Sequence, residues 1–167
     1  MKIICEYPET KGLSDHLLAM KKEIETFNPH RIAMDSLSAL ERVSTGKDFR
    51  EFVVSLSSFI KERETAGLFT AVTPSLMGGV SITEQHISTI TDSIILLRYV
   101  EMMGKMHRGI TVLKMRGSWH DKSIREFEID EDGITIGNVF ENVGGIISGL
   151  QIQSLSGDLD KMGKMFD

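Results

Sequence analysis

The sequence predicts an α/β fold: a parallel sheet with flanking helices in the first half, followed by antiparallel hairpins. Three observations predict it. Strand-length apolar runs alternate with amphipathic helix patterns up to residue 73, and strand-helix-strand units with long crossovers require parallel pairing and right-handed connections. A hydroxyl-rich run over residues 81–91 then feeds into the aliphatic stretch Ile94, Ile95, Leu96, Leu97, the composition of a strand covered on both faces. Beyond Asp92 the strand-length runs are separated by short turns, one around Gly104 and one at Asp132-Gly133, which reads as hairpins.

Taken in order, residues 2–7 (KIICEY) have the length and β-branched content of a strand, stopped by Pro8. Ser14 and Asp15 start a helix whose Leu17, Met20, Ile24 and Phe27 share one apolar face. Pro29 ends it, with Asn28 in the position that a following proline turns away from helix. Residues 31–37 (RIAMDSL) form a buried strand that closes on Asp35. A second helix runs from Lys47 or Asp48 to about Glu64, buries Phe52, Leu56, Phe59 and Ile60, and stops before Gly67. Residues 68–73 form a strand and residues 74–79 (PSLMGG) a loop. Strands follow over residues 93–100 and 108–116 with a tight turn over 103–107, and residues 124–129 and 134–136 close the sheet as a further hairpin. The polar tail from residue 151 carries scattered Leu and Met, a short helix or no regular element.

Composition narrows the function classes. A chain of 167 residues is one domain by length, and 41% hydrophobic with 26% charged residues describes a globular protein. The net charge of -5 argues against a broad nucleic-acid footprint. The longest apolar runs are strand-length, far below the roughly 18 to 20 residues that span a bilayer, and no basic, apolar leader opens the chain. Cys5 is the sole cysteine, so an internal disulfide or a cysteine metal cluster is excluded, and its expected place is a small buried apolar site. These features place the chain in the cytoplasm.

Residue types alone leave the chemistry open. An Asp closing an apolar strand suits a Walker B carboxylate that orients Mg²⁺, and equally a turn-forming strand end. Ser81, Thr83, Ser88, Thr89 and Thr91, with Glu84 and His86 among them, suit a turn built on hydroxyl-backbone bonds. The cations of KMRGSWHDK, residues 114–122, suit either a solvated surface or phosphate recognition.

Residues 81–101 (SITEQHISTITDSIILLRYVE) and 114–129 (KMRGSWHDKSIREFEI) closely resemble the second ATPase domain of KaiC, the cyanobacterial circadian clock protein, and of its bacterial relatives. The resemblance covers residues 1–149, a partial RecA-type ATPase domain, and leaves residues 150–167 as an unmatched tail. It implies a RecA-like P-loop NTPase fold, ATP and Mg²⁺ as ligands, and a ring hexamer with ATP between subunits. It places the family's autophosphorylation pair on Ser88 and Thr89 of HIST. Thr83 and Glu84 match positions that tune the phosphosites, with Glu84 replacing the usual Asp. Asp35 of DSLSAL falls at the Walker B position. Arg108, Lys114, Met115, Arg116, Ser118 and His120 would touch ATP held by a neighbouring subunit. His86 reads as a hydrogen-bonded loop histidine rather than a general base. Trp119 reads as packing on the sheet edge to fix the KMR loop, with stacking on adenine as the alternative.

No G-x-x-x-x-G-K-[ST] occurs in these residues, so the phosphate cradle of the family is missing. The family's catalytic Glu pair belongs upstream of residue 1. Because the family threads its P-loop strand between strands matching residues 68–73 and 93–100, the expectation is a truncated domain without the P-loop strand and the catalytic-Glu strand. Two readings follow: a piece of a KaiC-type ATPase and serine/threonine autokinase that is inactive alone, or a non-catalytic interaction subunit that co-assembles with an intact KaiC homologue. A RecA-type DNA recombinase is disfavoured by net charge and by the lack of basic loops. Expected partners are the chain itself or an intact homologue, and clock or two-component signalling proteins. Neither nucleic acid nor membrane is expected, and the tail does not resemble the family's KaiA-contacting peptide.

Overall fold

A computed structural model describes residues 1–72 and 89–141, with the backbone of residues 143–144 and 152–153 in addition. The expected loop at 74–79, together with Thr83, Glu84, His86 and Ser88, lies outside the described residues, as does most of the tail. The chain forms two compact units that divide between Thr91 and Asp92.

The first unit is built by α1 (Leu13–Phe27), β1 (Arg31–Met34), α2 (Leu37–Arg42), α3 (Gly46–Glu62) and β2 (Ala66–Phe69). The helix α3 recurs to one buried stripe, Phe49, Phe52, Val53, Leu56 and Ile60, the spacing that turns a single face inward. Thr45 caps its start by accepting the Asp48 backbone N–H at 3.2 Å, satisfying one of the free donors of the first turn. With Ile24 of α1 and Leu37 and Leu40 of α2 this stripe makes one core, against which Ile32, Met34 and Phe69 of the strands pack. Asn28 takes the left-handed conformation that ends α1, its N–H bonded to Ile24 O at 2.8 Å. β1 and β2 pair in parallel, Arg31 opposite Ala66 through Met34 opposite Phe69, and α2 and α3 supply the crossover that a parallel pair requires.

Several expectations are corrected here. Residues 2–7 form no strand: they are exposed and irregular, and a 3-10 turn follows at Pro8–Thr10. β-branched composition makes a strand only where an edge can receive its hydrogen bonds, and this segment is instead held by side chains. Lys2 pairs with Glu23, Lys11 with Glu6 at 2.7 Å, and the buried His16 donates from Nε2 to Pro8 O at 3.0 Å. Only the second of the two expected strand-helix-strand units therefore forms among the described residues. Cys5 is exposed, not buried. The strand expected over 31–37 stops at Met34 because α2, which carries no periodicity long enough to read, starts at Leu37. Gly67 sits inside β2, and Glu64, at φ 52, makes the left-handed turn after α3 instead.

The second unit is an antiparallel sheet in the order β3 (Ser93–Met102), β4 (Lys105–Met115), β5 (Arg125–Asp130), β6 (Gly133–Val139). Met103 and Gly104 both have positive φ, 51 and 73, which defines the tight hairpin turn whose twist matches the strands. Ile94 faces Lys114 but Ile95 faces Val112, so Leu113 is an extra residue and β4 is bulged just before its last two residues. On one face Val100 is wholly buried, and a Cβ at Gly109 would meet Val100, Ile124 and Phe140 at 3.3–3.4 Å. β4 and β5 share only the pairs Gly109 with Glu126 and Ile110 with Arg125, supplemented by His107 Nδ1, 2.5 Å from Glu126 Oε1. A two-residue antiparallel pair, Val143–Gly144 with Ile152–Gln153, completes the described backbone. Among the described residues no helix is long and apolar enough to cross a membrane.

The core assigns unequal weight to two leucines. Leu56, 2% exposed, should lose about 2–5 kcal/mol on truncation to Ala. Leu97, 59% exposed, should lose no more than about 0.5 kcal/mol. Urea unfolding followed by far-ultraviolet circular dichroism checks both, and equal losses would contradict the core described.

Candidate functional site

Asp35 is the first residue beyond β1, at the carboxyl end of the parallel pair. Main-chain bonds fix it there: Thr70 N donates to Met34 O at 3.0 Å and Leu37 N to Thr70 O at 2.9 Å. The Thr70 hydroxyl donates to Asp35 Oδ1, and the peptide after Asp35 is cis. Ser38 Oγ accepts Val72 N at 2.8 Å. The start of α2 is thus stitched to the chain that leaves β2, the edge at which parallel sheets hold ligands. Asp35 is exposed, and one oxygen is engaged by Thr70. Among the described residues no group of three His, Cys, Asp or Glu could hold a metal ion. A lone carboxylate of this kind fits Mg²⁺, which keeps most of its waters and takes one or two carboxylates together with substrate phosphates.

Thr89 is exposed and helical in backbone, followed by Ile90. Ile90 packs on the core of the first unit, and its carbonyl accepts Lys61 Nζ at 3.1 Å. The neighbour is partly buried against the core and the hydroxyl-bearing residue is outside.

The remaining candidates belong to the second unit. Lys114 and Met115 are the last residues of β4, within the strand expected over 108–116, and the bulge at Leu113 lets pairing continue to Met115 opposite Ser93. Arg116 N donates to Asp92 O at 2.8 Å, and its guanidinium lies 3.7 Å from the Asp92 carboxylate. The chain then turns at Gly117, φ 75, and exposes Ser118. Trp119 is 88% exposed. The expectation that it packs on the sheet edge is therefore overturned. His120 is partly buried, and its Nε2 has no hydrogen-bond partner among the described residues. Arg108 is exposed further up β4, opposite Tyr99. Six residues of strand put it about 20 Å from Lys114, so the sheet gathers residues 114–120 but leaves Arg108 apart.

The sequence reading missed the residue that holds this loop. Asp121 accepts the Ser123 backbone N–H at 2.8 Å on one oxygen and Arg125 Nε and Nη2 at 3.1 Å on the other. Hydrogen bonds from Ser123, then from Arg125, draw its carboxyl down from 3.8 to about 2. Thr111 adds a bond to Lys122 O at 3.5 Å. The D-x-S spacing is the signal that could have shown it, since Asp bonds backbone two residues on.

A family model for the KaiC ATPase matches residues 6–140. The chain belongs to the KaiC ATPase family. That family is RecA-like, and a parallel pair with flanking helices followed by an antiparallel sheet is the α/β arrangement expected of it. The chain is 60% identical over all 167 residues to the circadian clock protein KaiC3 of Synechocystis, covering 33% of that protein. It is 56% identical over 149 residues to the circadian clock oscillator protein KaiC of Rippkaea orientalis, and 55% identical over 149 residues to that of Synechococcus elongatus, in each case 89% of this chain and 29% of the relative. The chain thus spans about a third of the length of the curated relatives it matches. The KaiC3 similarity runs through the tail as well, which corrects the expectation that residues after 149 match no member of the family.

The Asp121 clasp has a pH signature. Its folded carboxyl is depressed, so the restraint is complete above about pH 4 and is lost as pH falls toward 2. The Asp121 carboxyl carbon should titrate near 2 by nuclear magnetic resonance, and Asp121→Asn should speed amide exchange at Ser123 at neutral pH. An unshifted titration would remove the clasp.

Proposed function

We propose that these 167 residues are the phosphate-accepting and trans-contacting part of a KaiC-type circadian-clock ATPase and serine/threonine autokinase. They act in the cytoplasm, in a ring made with copies of the chain or with an intact KaiC homologue. One observation carries the reading: the KaiC match over residues 6–140 runs through both units and takes in every residue assigned a role. The exposure of Thr89 and the clustering of Lys114 to His120 at one end of β4 agree with those roles.

In this reading the hydroxyl of Thr89 or Ser88 attacks the γ-phosphorus of an ATP held by the adjacent subunit. The bond from phosphorus to the bridging oxygen breaks, ADP leaves, and the hydroxyl proton passes to a base on the subunit that grips the nucleotide. Lys114 supplies a point charge and Arg116 a planar fork for the phosphates. Met115, Ser118, His120 and Arg108 complete the contact, and Thr83 and Glu84 set the reach of the acceptor pair. Asp35 serves as the Walker B carboxylate, and Mg²⁺ contributes neutralisation of phosphate charge. Each phosphate adds about -1.5 to -2 charge, a change that clock or two-component signalling proteins can read. The net charge of -5 speaks against nucleic acid as a ligand.

Mixing the chain with the 60%-identical KaiC3 and γ-labelled ATP tests this. Label should reach this chain and be lost in the Ser88→Ala, Thr89→Ala variant, while the chain alone turns over no ATP. Lys114→Ala or Arg116→Ala should slow transfer at least about tenfold, ~1.4 kcal/mol. Label that survives the double substitution, or no co-assembly with the relative, overturns the proposal.

A further inference from the structure

The antiparallel sheet is unevenly laced. β3 pairs with β4 from Ser93 to Met102, and β5 pairs with β6 from Arg125 to Asp130, whereas β4 and β5 meet only at Gly109 with Glu126 and Ile110 with Arg125. The β5–β6 hairpin is thus joined to β4 by a short seam. A side chain reinforces that seam. His107 of β4, opposite Val100 in register, places Nδ1 2.5 Å from Glu126 Oε1 of β5, and its ring meets that of Phe140 edge-on at 6.3 Å. The pair lies beside the wholly buried Val100, and the two side chains are 22% and 34% exposed. Water reaches the pair to exchange protons, yet the pair is dry enough for charge to count for more than on an open surface.

An ionised carboxylate can only accept, so the imidazole donates Nδ1–H to Glu126, and Nε2 is the atom that gains or loses a proton. Histidine is the side chain whose charge changes between about pH 5 and 8. The charged groups around this one are Glu126 and, on the same face of β5, Glu128; Arg98, diagonal to it on β3; Lys105 on its own strand; and Glu141 after Phe140. β6 carries no charged residue. Glu126 is the group in hydrogen-bond contact.

We propose that His107 is a proton-operated clasp on the β4–β5 seam. With Nε2 protonated, the bond to Glu126 joins a cation to an anion, which makes it shorter and about twice as strong as a neutral bond, and the β5–β6 hairpin stays on the sheet. When Nε2 gives its proton to solvent, Nδ1–H still donates but the charge is gone, and β5 parts from β4 more often. The hold is complete on the acid side of the window and falls as pH rises through it. This is opposite in sign to the Asp121 clasp, which is lost toward pH 2. Residues 116–124 run from β4 to β5, and Arg125 both opens β5 and bonds Asp121, so a parted seam frees that loop at one end. The clasp rests on the sheet alone and is independent of the nucleotide reading.

Hydrogen-deuterium exchange of the whole chain at about pH 6 and about pH 8, each divided by the intrinsic exchange rate, reads the opening of the seam. Protection of the peptide spanning residues 125–130 should be about three- to tenfold greater at the lower pH, while protection in α3 should not change. His107→Gln keeps a donor without a titrating charge and should level the two values, as should Glu126→Gln, and about 1 M salt should shrink the difference in the parent. If His107→Gln keeps the parent's pH response, another group produces it and the clasp is wrong. The clasp is equally wrong if α3 responds as much as residues 125–130, or if the parent shows no response. Should circular dichroism show that His107→Gln does not fold, Glu126→Gln decides by the same comparison.

Discussion

Burial of the α3 stripe is the interaction on which the first unit depends. Phe49, Phe52, Val53, Leu56 and Ile60 make up most of the buried core that α1, α2 and the two strands share. Each such side chain is worth about 1.5–3 kcal/mol when removed from water, against a net stability of only about 5–15 kcal/mol for a whole domain. The position of Asp35 follows from that packing. Ile32 and Met34 of β1 lean on the core, and one residue later the chain emerges at the end of the strand, where the carboxylate meets Thr70. Phe59 shows how the rim of the same helix is used: Arg63 lies over its ring at 4.0 Å and Lys21 at 5.2 Å, so charged side chains roof the apolar surface without entering it.

The second unit is governed by register rather than by a helix-backed core. In a strand the side chains alternate, so one extra residue transfers everything beyond it to the other face. The bulge at Leu113 does this immediately before Lys114 and Met115. A β4 without the bulge would present Lys114 on the side that Val112 occupies, and Met115 on the other. Bulges gather beside functional sites for this reason, and here the bulge is what makes a plain strand end into a platform of a cation, a thioether and a second cation in sequence.

How much of this was legible depended on the range of the signal. The helices α1 and α3 carry their periodicity in a single stretch, so both were readable to within one or two residues, and the hairpins that turn at Gly104 and Gly133 to within three. The short α2 has too few residues to show a period. Residues 2–7 look like a strand locally, but strandhood belongs to a pair of segments, and the composition of one segment does not disclose whether an edge is there to meet it. The exposure of Cys5 and Trp119 was misread for a related cause: residue type gives only the average environment, and the two side chains depart from it. The KaiC kinship, by contrast, lies in contiguous strings and survives every such error.

The two candidate groups differ in what holds them, and that difference has a consequence. Asp35 and Thr89 are supported by partly buried neighbours that pack on the core, Met34 and Ile90, so their placement is tied to the stability of the first unit. Residues 116–122 are supported by exposed hydrogen bonds and ion pairs around Asp92 and Asp121. Exposed ion pairs contribute little to folding and are weakened by salt, so that loop can open without the sheet unfolding. Regions of few buried contacts are where binding elements move. In the proposed reading, where this loop meets a ligand on another subunit, such a hold orders it enough to offer its side chains together while its restraints can be exchanged for those of an incoming phosphate. The Arg116 to Asp92 pair is the clearest instance, since a phosphate presents the guanidinium with the same geometry and more charge than the carboxylate it would replace.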